Sequence, residues 1–162
     1  MTFTHVCINC PKKELIPVNT YCFDYRVIIC YTIRKVYKGG HELSLTFYWY
    51  PNCGTCKKAK KWLDEHELDY TPVHIVEETP SKETLLDFIQ KSNLAPRKFF
   101  NTSGKVYREQ HMKDKIKDAS TDEMASYLAS DGMLIKRPIL TDGEKVTVGF
   151  KEEEFAKTWL SS

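Results

Sequence analysis

Two cysteines spaced Cys53-Gly54-Thr55-Cys56, at the seam between a strand-like and a helix-like run, constrain this chain more than any other feature. The preceding Leu45-Thr46-Phe47-Tyr48-Trp49-Tyr50 is aromatic and β-favouring, and reads as a buried strand. Beyond the cysteines, Ala59, Trp62, Leu63 and His66 recur at three- and four-residue steps, as on one face of a helix. A thiol at such a seam meets unpaired N–H groups and the positive end of the helix dipole, and both favour the thiolate. Lys57, Lys58, Lys60 and Lys61 add positive charge close by. The chemistry favoured is thiol–disulfide exchange, with Cys53 attacking and Cys56 resolving.

Other uses of the pair stay open. A Cys-x-x-Cys can be half of a zinc site, but zinc then needs two further ligands. The other close pair is Cys7 and Cys10; downstream of Cys56 there is no cysteine, and His66, His74 and His111 lack ligand spacing. A structural disulfide would close a strained loop, and inert thiols are the remaining alternative. The reading taken forward is redox-active, with no metal and no cofactor.

The chain has 162 residues, one domain's worth, with 41% hydrophobic and 28% charged residues, as in ordinary globular proteins. A net charge of +2 is too small to argue for nucleic acid, and no apolar run reaches the length of a membrane span. Six cysteines without a recognisable secretory leader fit a reducing, cytoplasmic setting.

Residues 1–42 look foreign to the rest. They hold four of the six cysteines (Cys7, Cys10, Cys22 and Cys30) and little periodicity. Lys38-Gly39-Gly40 is what a ribosome-binding sequence of the AAAGGAGG type spells when translated in frame, and Leu43 follows where a TTG start codon would stand. The expectation is a native start near Leu43, with residues 43–162 as the folded domain. The alternative is a genuine disordered or metal-binding extension.

From Leu43 onward the elements follow in a distinctive order. Residues 70–76 read as a second strand, made an edge or irregular by Pro72. Ser81 is an N-cap for a helix over 82–91, with Leu85, Leu86, Phe88 and Ile89 as its apolar face. A short helix is expected over 93–100, then the loop Asn101-Thr102-Ser103-Gly104 and a charged stretch over 105–117. Ser120-Thr121-Asp122-Glu123 opens a helix that buries Met124, Tyr127 and Leu128, and Gly132 is expected to end it in a left-handed turn. A run from Met133 enters a strand with Pro138 at its mouth, and Asp142-Gly143 marks a hairpin between strands at 139–140 and 145–149. A helix over 151–160, with Phe155, Trp159 and Leu160 apolar, closes the chain. The order predicts an α/β class: a thioredoxin-like fold with a four-stranded mixed sheet and an all-helical insertion between its βαβ half and its β-hairpin. Parallel pairing through the first helix would set the Cys53 loop at the carboxyl ends of the strands, where open α/β sheets bind ligands.

Pro51-Asn52-Cys53-Gly54-Thr55-Cys56 together with Leu134-Ile135-Lys136-Arg137-Pro138-Ile139 resembles the ArsC family, over residues 45–160. That family spans glutaredoxin-coupled arsenate reductases and the Spx/MgsR regulators that bind RNA polymerase. The resemblance implies the thioredoxin-like fold, Cys53 as nucleophile, and a cis Pro138 whose backbone lies against the cysteine loop where a substrate could pair. The arsenate reductases use one cysteine and three arginines; Arg137 matches one, Asn101 stands at the middle position, and Gly149-Phe150 carries no third. Arg97 and Arg108 are the candidates to compensate, since asparagine lacks the bidentate, charged grip that arginine offers an oxyanion. Cys56 supplies an internal resolving thiol instead of an external one. The Spx/MgsR side fits the cysteine pair and the stretch Val146-Thr147-Val148-Gly149-Phe150-Lys151-Glu152-Glu153-Glu154 better.

The leading expectation is a thiol–disulfide oxidoreductase acting on a thiol or disulfide substrate and recharged by a cellular thiol reductant. Cys53 and Cys56 are its catalytic residues, and Arg137, Pro138 and Asn101 its substrate-binding ones. The alternative is a redox-sensing regulator docking on the RNA polymerase α subunit, through basic residues of the helix after Cys56. Arsenate reduction is the weaker third. Direct nucleic-acid recognition and membrane association are not expected, since no recognition-helix pattern or concentrated basic face occurs.

Overall fold

Alternating burial along the first strand sets the layers of the molecule. In the computed structural model, which describes residues 44–160, β1 (Leu45–Trp49) turns Leu45 and Phe47 to one face and Tyr48 to the other. It pairs parallel with β2 (Tyr70–His74) and antiparallel with β3 (Ile139–Thr141), which pairs antiparallel with β4 (Val146–Val148). The strand order β2-β1-β3-β4 is the expected four-stranded mixed sheet, with β2 at an edge where Pro72 withholds no ladder donor from an interior partner. β2 ends two residues before the predicted limit, at His74.

One face of the sheet is covered by α1 (Gly54–Glu65) and α6 (Glu152–Phe155), which runs on as a π turn to Leu160. Phe47, Leu140, Ala59, Trp62, Leu63 and Phe155 fill that layer, with the Trp62 and Phe155 rings edge to face at 5.5 Å. Two predicted apolar positions fall outside it. His66 is exposed, stacked on the outer side of Trp62 at 4.1 Å beyond the helix end. Leu160 is 45% exposed, because the wider π turn rotates it off the face that carries Phe155.

The opposite face is covered by the expected helical insertion: α2 (Lys82–Ser92), α3 (Lys105–Glu109), α4 (Met112–Lys115) and α5 (Thr121–Ser130). Leu85, Phe88, Phe99, Met112 and Leu128 join Ile75 and Ile139 in its core. Ser81 caps α2 as predicted, and Ser120 opens α5 with a full capping box, its hydroxyl accepting the Glu123 N–H while Glu123 accepts the Ser120 N–H.

Three local expectations are corrected. The helix over 93–100 is a single 3-10 turn, Pro96–Phe99, because Asn93 at φ 54° ends α2 in the left-handed region. Gly132 supplies no left-handed turn; Asp131 leaves α5 extended and Gly132 lies in the 3-10 turn Gly132–Leu134. Its need for glycine is steric, since a Cβ there would stand 2.1 Å from the Ile75 carbonyl oxygen. The strand over the second motif starts only after Pro138, at Ile139. The Asp142-Gly143 hairpin forms as read, with Gly143 at φ 91° and Asp142 Oδ1 accepting the Glu144 and Lys145 N–H groups. Among the described residues no helix is long and apolar enough to cross a membrane. The expectation of a separate segment over residues 1–42 lies outside the described residues.

Candidate functional site

A tight turn brings the chain from β1 into α1. Pro51 occupies its second position and the Cys53 N–H donates to the Tyr50 carbonyl at 3.0 Å. Cys53 is therefore the N-cap of α1, in extended conformation, with its carbonyl accepting the Lys57 N–H. No side chain caps this helix end. Burial alone would raise the Cys53 thiol, but N–H groups of Cys56 and Thr55, the Cys56 thiol and the Arg137 side chain outweigh it and hold Cys53 below an ordinary cysteine. Cys56 lies one helical turn inward and fully buried, and burial, reinforced by the neighbouring Cys53 charge, pushes it up to about 12. The two thiols are unbridged, one half-exposed and one hidden beneath it.

Arg137 reaches the cysteine loop from the segment ahead of β3. Its guanidinium stacks on the Tyr50 ring at 4.8 Å and donates to the Met133 sulfur at 3.3 Å. The Arg137–Pro138 bond is cis, as the resemblance implied, and the Pro138 carbonyl accepts the Gly149 N–H. Asn101 is tied to the same segment. Its main-chain N–H donates to the Leu134 carbonyl and its Nδ2 to the Met133 carbonyl, while the Lys136 N–H donates back to Phe99. An isolated antiparallel bridge between Phe100 and Ile135 sits at the centre of this pairing. The insertion thus holds the Arg137 segment against the sheet end.

Between these parts opens a cleft of about 470 Å³, lined by Cys53, Thr55, Asn101, Lys136, Arg137 and Lys151, with Val148 and Phe150 giving it an apolar wall. The structure brings Cys53, Asn101 and Arg137 to this one cleft. Pro138 is buried behind it and Cys56 beneath Cys53. Of the two compensating candidates, neither lines it. Arg97 clamps the Ile116 and Lys117 carbonyls at the end of α4, and Arg108 points from α3 to solvent. Lys57, Lys58, Lys60 and Lys61 do not line it either; Lys60 and Lys61 pair with Asp64 and Glu65 one turn on. Among the described residues, the cations that face the cleft are Arg137, Lys136 and Lys151. Lys136 adjoins the recognised Arg137-Pro138 pair and was legible from that neighbourhood. Lys151 and the Tyr50 stack had no local signal, because the hairpin and the β1 turn carry them in.

Residues 48–158 match the profile of the ArsC family. The chain belongs to the ArsC family. It is 61% identical over 117 residues to the uncharacterized protein YusI of Bacillus subtilis, covering 72% of this chain and 99% of that one. Against the regulatory protein MgsR of the same organism it is 29% identical, over 72% of this chain and 90% of MgsR. A crystal structure described as a putative ArsC family related protein from Bacteroides fragilis superposes with a TM-score of 0.69 at 44% identity, covering 70% and 96% of the two chains. These ArsC-family likenesses span the sheet, the insertion and the Cys53 cleft together.

Proposed function

We propose that this ArsC-family chain is a cytoplasmic thiol–disulfide oxidoreductase. The observation that carries the reading is the opposite bias of two thiols in one turn: Cys53 low and facing the cleft, Cys56 high and buried under it. The Cys53 thiolate attacks one sulfur of a substrate disulfide. A new S–S bond forms, the old one breaks, and the departing thiolate takes up a proton. Cys56 then gives up its proton and attacks the Cys53 sulfur, releasing the second substrate thiol and leaving a Cys53–Cys56 disulfide. Two electrons have passed to the substrate, and a cellular dithiol reductant returns them. Arg137 favours the Cys53 thiolate, Asn101 lines the wall against which the mixed disulfide lies, and Pro138 supports that wall from behind.

A redox-switched regulator docking on the RNA polymerase α subunit is the second reading, favoured by the identity with MgsR. Arsenate reduction is weaker, since among the described residues Arg137 is the one arginine lining the cleft. The test is the full chain carrying Cys56→Ser, incubated in lysate, with co-purified proteins identified and disulfides mapped to peptides. Partners bound to the Cys53 peptide and released only by reductant support the oxidoreductase. RNA polymerase subunits released by salt alone support the regulator and overturn it.

A further inference from the structure

Two neutral groups hold Arg137. Its guanidinium lies on the Tyr50 ring at 4.8 Å, and its Nη1 donates to the Met133 Sδ at 3.3 Å. A thioether is a weak, uncharged acceptor and a ring face carries no formal charge. Both contacts therefore fix the group without neutralising it. Among the described residues no carboxylate forms an ion pair with Arg137. Arg97 is held quite differently, by the main-chain carbonyls of Ile116 and Lys117. The charge of Arg137 is left to the Cys53 sulfur, to which its side chain also donates. Met133 is placed as firmly as the arginine that it meets. Its N–H donates to Asp131 Oδ1 at 2.7 Å, and its carbonyl accepts Asn101 Nδ2 at 3.4 Å. The 3-10 turn that carries it packs against the Ile75 main chain at Gly132. Three contacts thus set the backbone from which the thioether reaches Arg137, and both side chains are half-buried.

We infer that Met133 is a positioning residue, whose sulfur keeps the Arg137 guanidinium beside Cys53 without competing for its charge. The inference rests on Cys53 as the attacking thiol and adds to that reading the side chain that keeps its cation in place. Met133 acts on Cys53 only through Arg137. An apolar side chain of the same size releases Nη1, so the guanidinium keeps one of its two holds and spends less time at the sulfur. A neutral carbonyl in reach of Nη1 restores the hold. A carboxylate there would bind Nη1 more strongly and cancel the charge that Cys53 needs.

The experiment is iodoacetamide alkylation of the reduced full chain against pH, with the Cys53 and Cys56 peptides followed separately. The chains compared are wild type, Met133→Leu, Met133→Gln, Arg137→Gln and the double variant Met133→Leu with Arg137→Gln. Met133→Leu conserves volume and is expected to raise the Cys53 midpoint by roughly half a pH unit, as for a weakened, partly exposed charge contact. Met133→Gln is expected to titrate nearer to wild type than Met133→Leu does. In the Arg137→Gln background, Met133→Leu is expected to move nothing further, since the group it acts through is gone. An unmoved midpoint in Met133→Leu overturns the inference, as does an equal shift in the Arg137→Gln background or a Met133→Gln chain no closer to wild type. Alkylation of Cys56 in Met133→Leu would mark Met133 as a packing residue and overturn it as well. All of these leave exchange by Cys53 standing. A wild-type Cys53 that titrates as an ordinary thiol overturns the exchange reading and the inference with it.

Discussion

The guanidinium of Arg137 lies 4.8 Å from the centre of the Tyr50 ring, and the carbonyl of that same Tyr50 accepts the Cys53 N–H at 3.0 Å. One residue of the β1 turn therefore fixes both the nucleophile's backbone and the cation beside it. Tyr50 is a positioning residue, acting through Arg137. Tyr50→Phe keeps the aromatic face and is expected to leave the Cys53 titration in place, whereas Tyr50→Leu frees the guanidinium and raises it. Arg137→Gln is expected to raise it too. Iodoacetamide alkylation of Cys53 against pH, followed on its peptide, checks the three variants; Tyr50→Leu titrating like the parent would show that the stack positions nothing.

The two thiols give stability opposite pH dependence. Cys53, depressed in the folded chain, contributes stability that is present above its unfolded value of about 8.5 and is lost as pH falls through the lower folded value. Cys56, raised to about 12, contributes stability present below about 8.5; as pH climbs further the unfolded chain sheds this proton while the folded one keeps it. Between those limits its share falls by at most about 1.4 kcal/mol per pH unit for one proton. Urea unfolding of wild type and Cys56→Ala at stepped alkaline pH is expected to show a steeper decline in wild type. Parallel declines would contradict the burial of Cys56 as a neutral thiol.

Gly132 touches the chain crossing in front of it. Gly132→Ala sets a methyl 2.1 Å from the Ile75 oxygen, which is main chain and does not move as a side-chain tip would. The expected loss is about 1–3 kcal/mol, read as a lower unfolding midpoint. An unchanged midpoint would show that the 3-10 turn shifts freely.

The capping box of α5 gives a milder, local effect. Ser120→Ala removes the acceptor of the Glu123 N–H and is expected to cost about 1 kcal/mol. Ser120→Asp, which keeps an acceptor, is expected to cost less; circular dichroism melts compare the two.

How much of this was legible in sequence depends on how far apart the partners lie. The β1–turn–α1 unit is local: its alternation, its Pro51 and its helical spacing all sit within about twenty residues of one another, and the structure agrees there on strand, turn and helix, with His66 alone of the helix-face positions falling past the helix end. The hairpin was readable for the same reason, because Asp142-Gly143 dictates its own turn. The failures lie where distant contacts decide. Gly132 is glycine because Ile75 crosses it, not because its own backbone turns left. The lysines after Cys56 looked like the source of positive charge, yet the helix twist turns them from the cleft, and Lys136 and Lys151 arrive from the other end of the domain. Asn101 was placed by motif spacing, but its main-chain pairing to Leu134 belongs to the fold.

The most direct measurement is a single-turnover reaction of the reduced full chain with a small disulfide, quenched with acid and resolved by peptide mass. In wild type, the Cys53 and Cys56 peptides are expected to end joined by an internal disulfide, with no substrate half retained. In Cys56→Ser, the substrate half is expected to remain bonded to Cys53. Retention on wild-type Cys53, or a Cys56→Ser chain unmodified at Cys53, would contradict attack by Cys53 and resolution by Cys56.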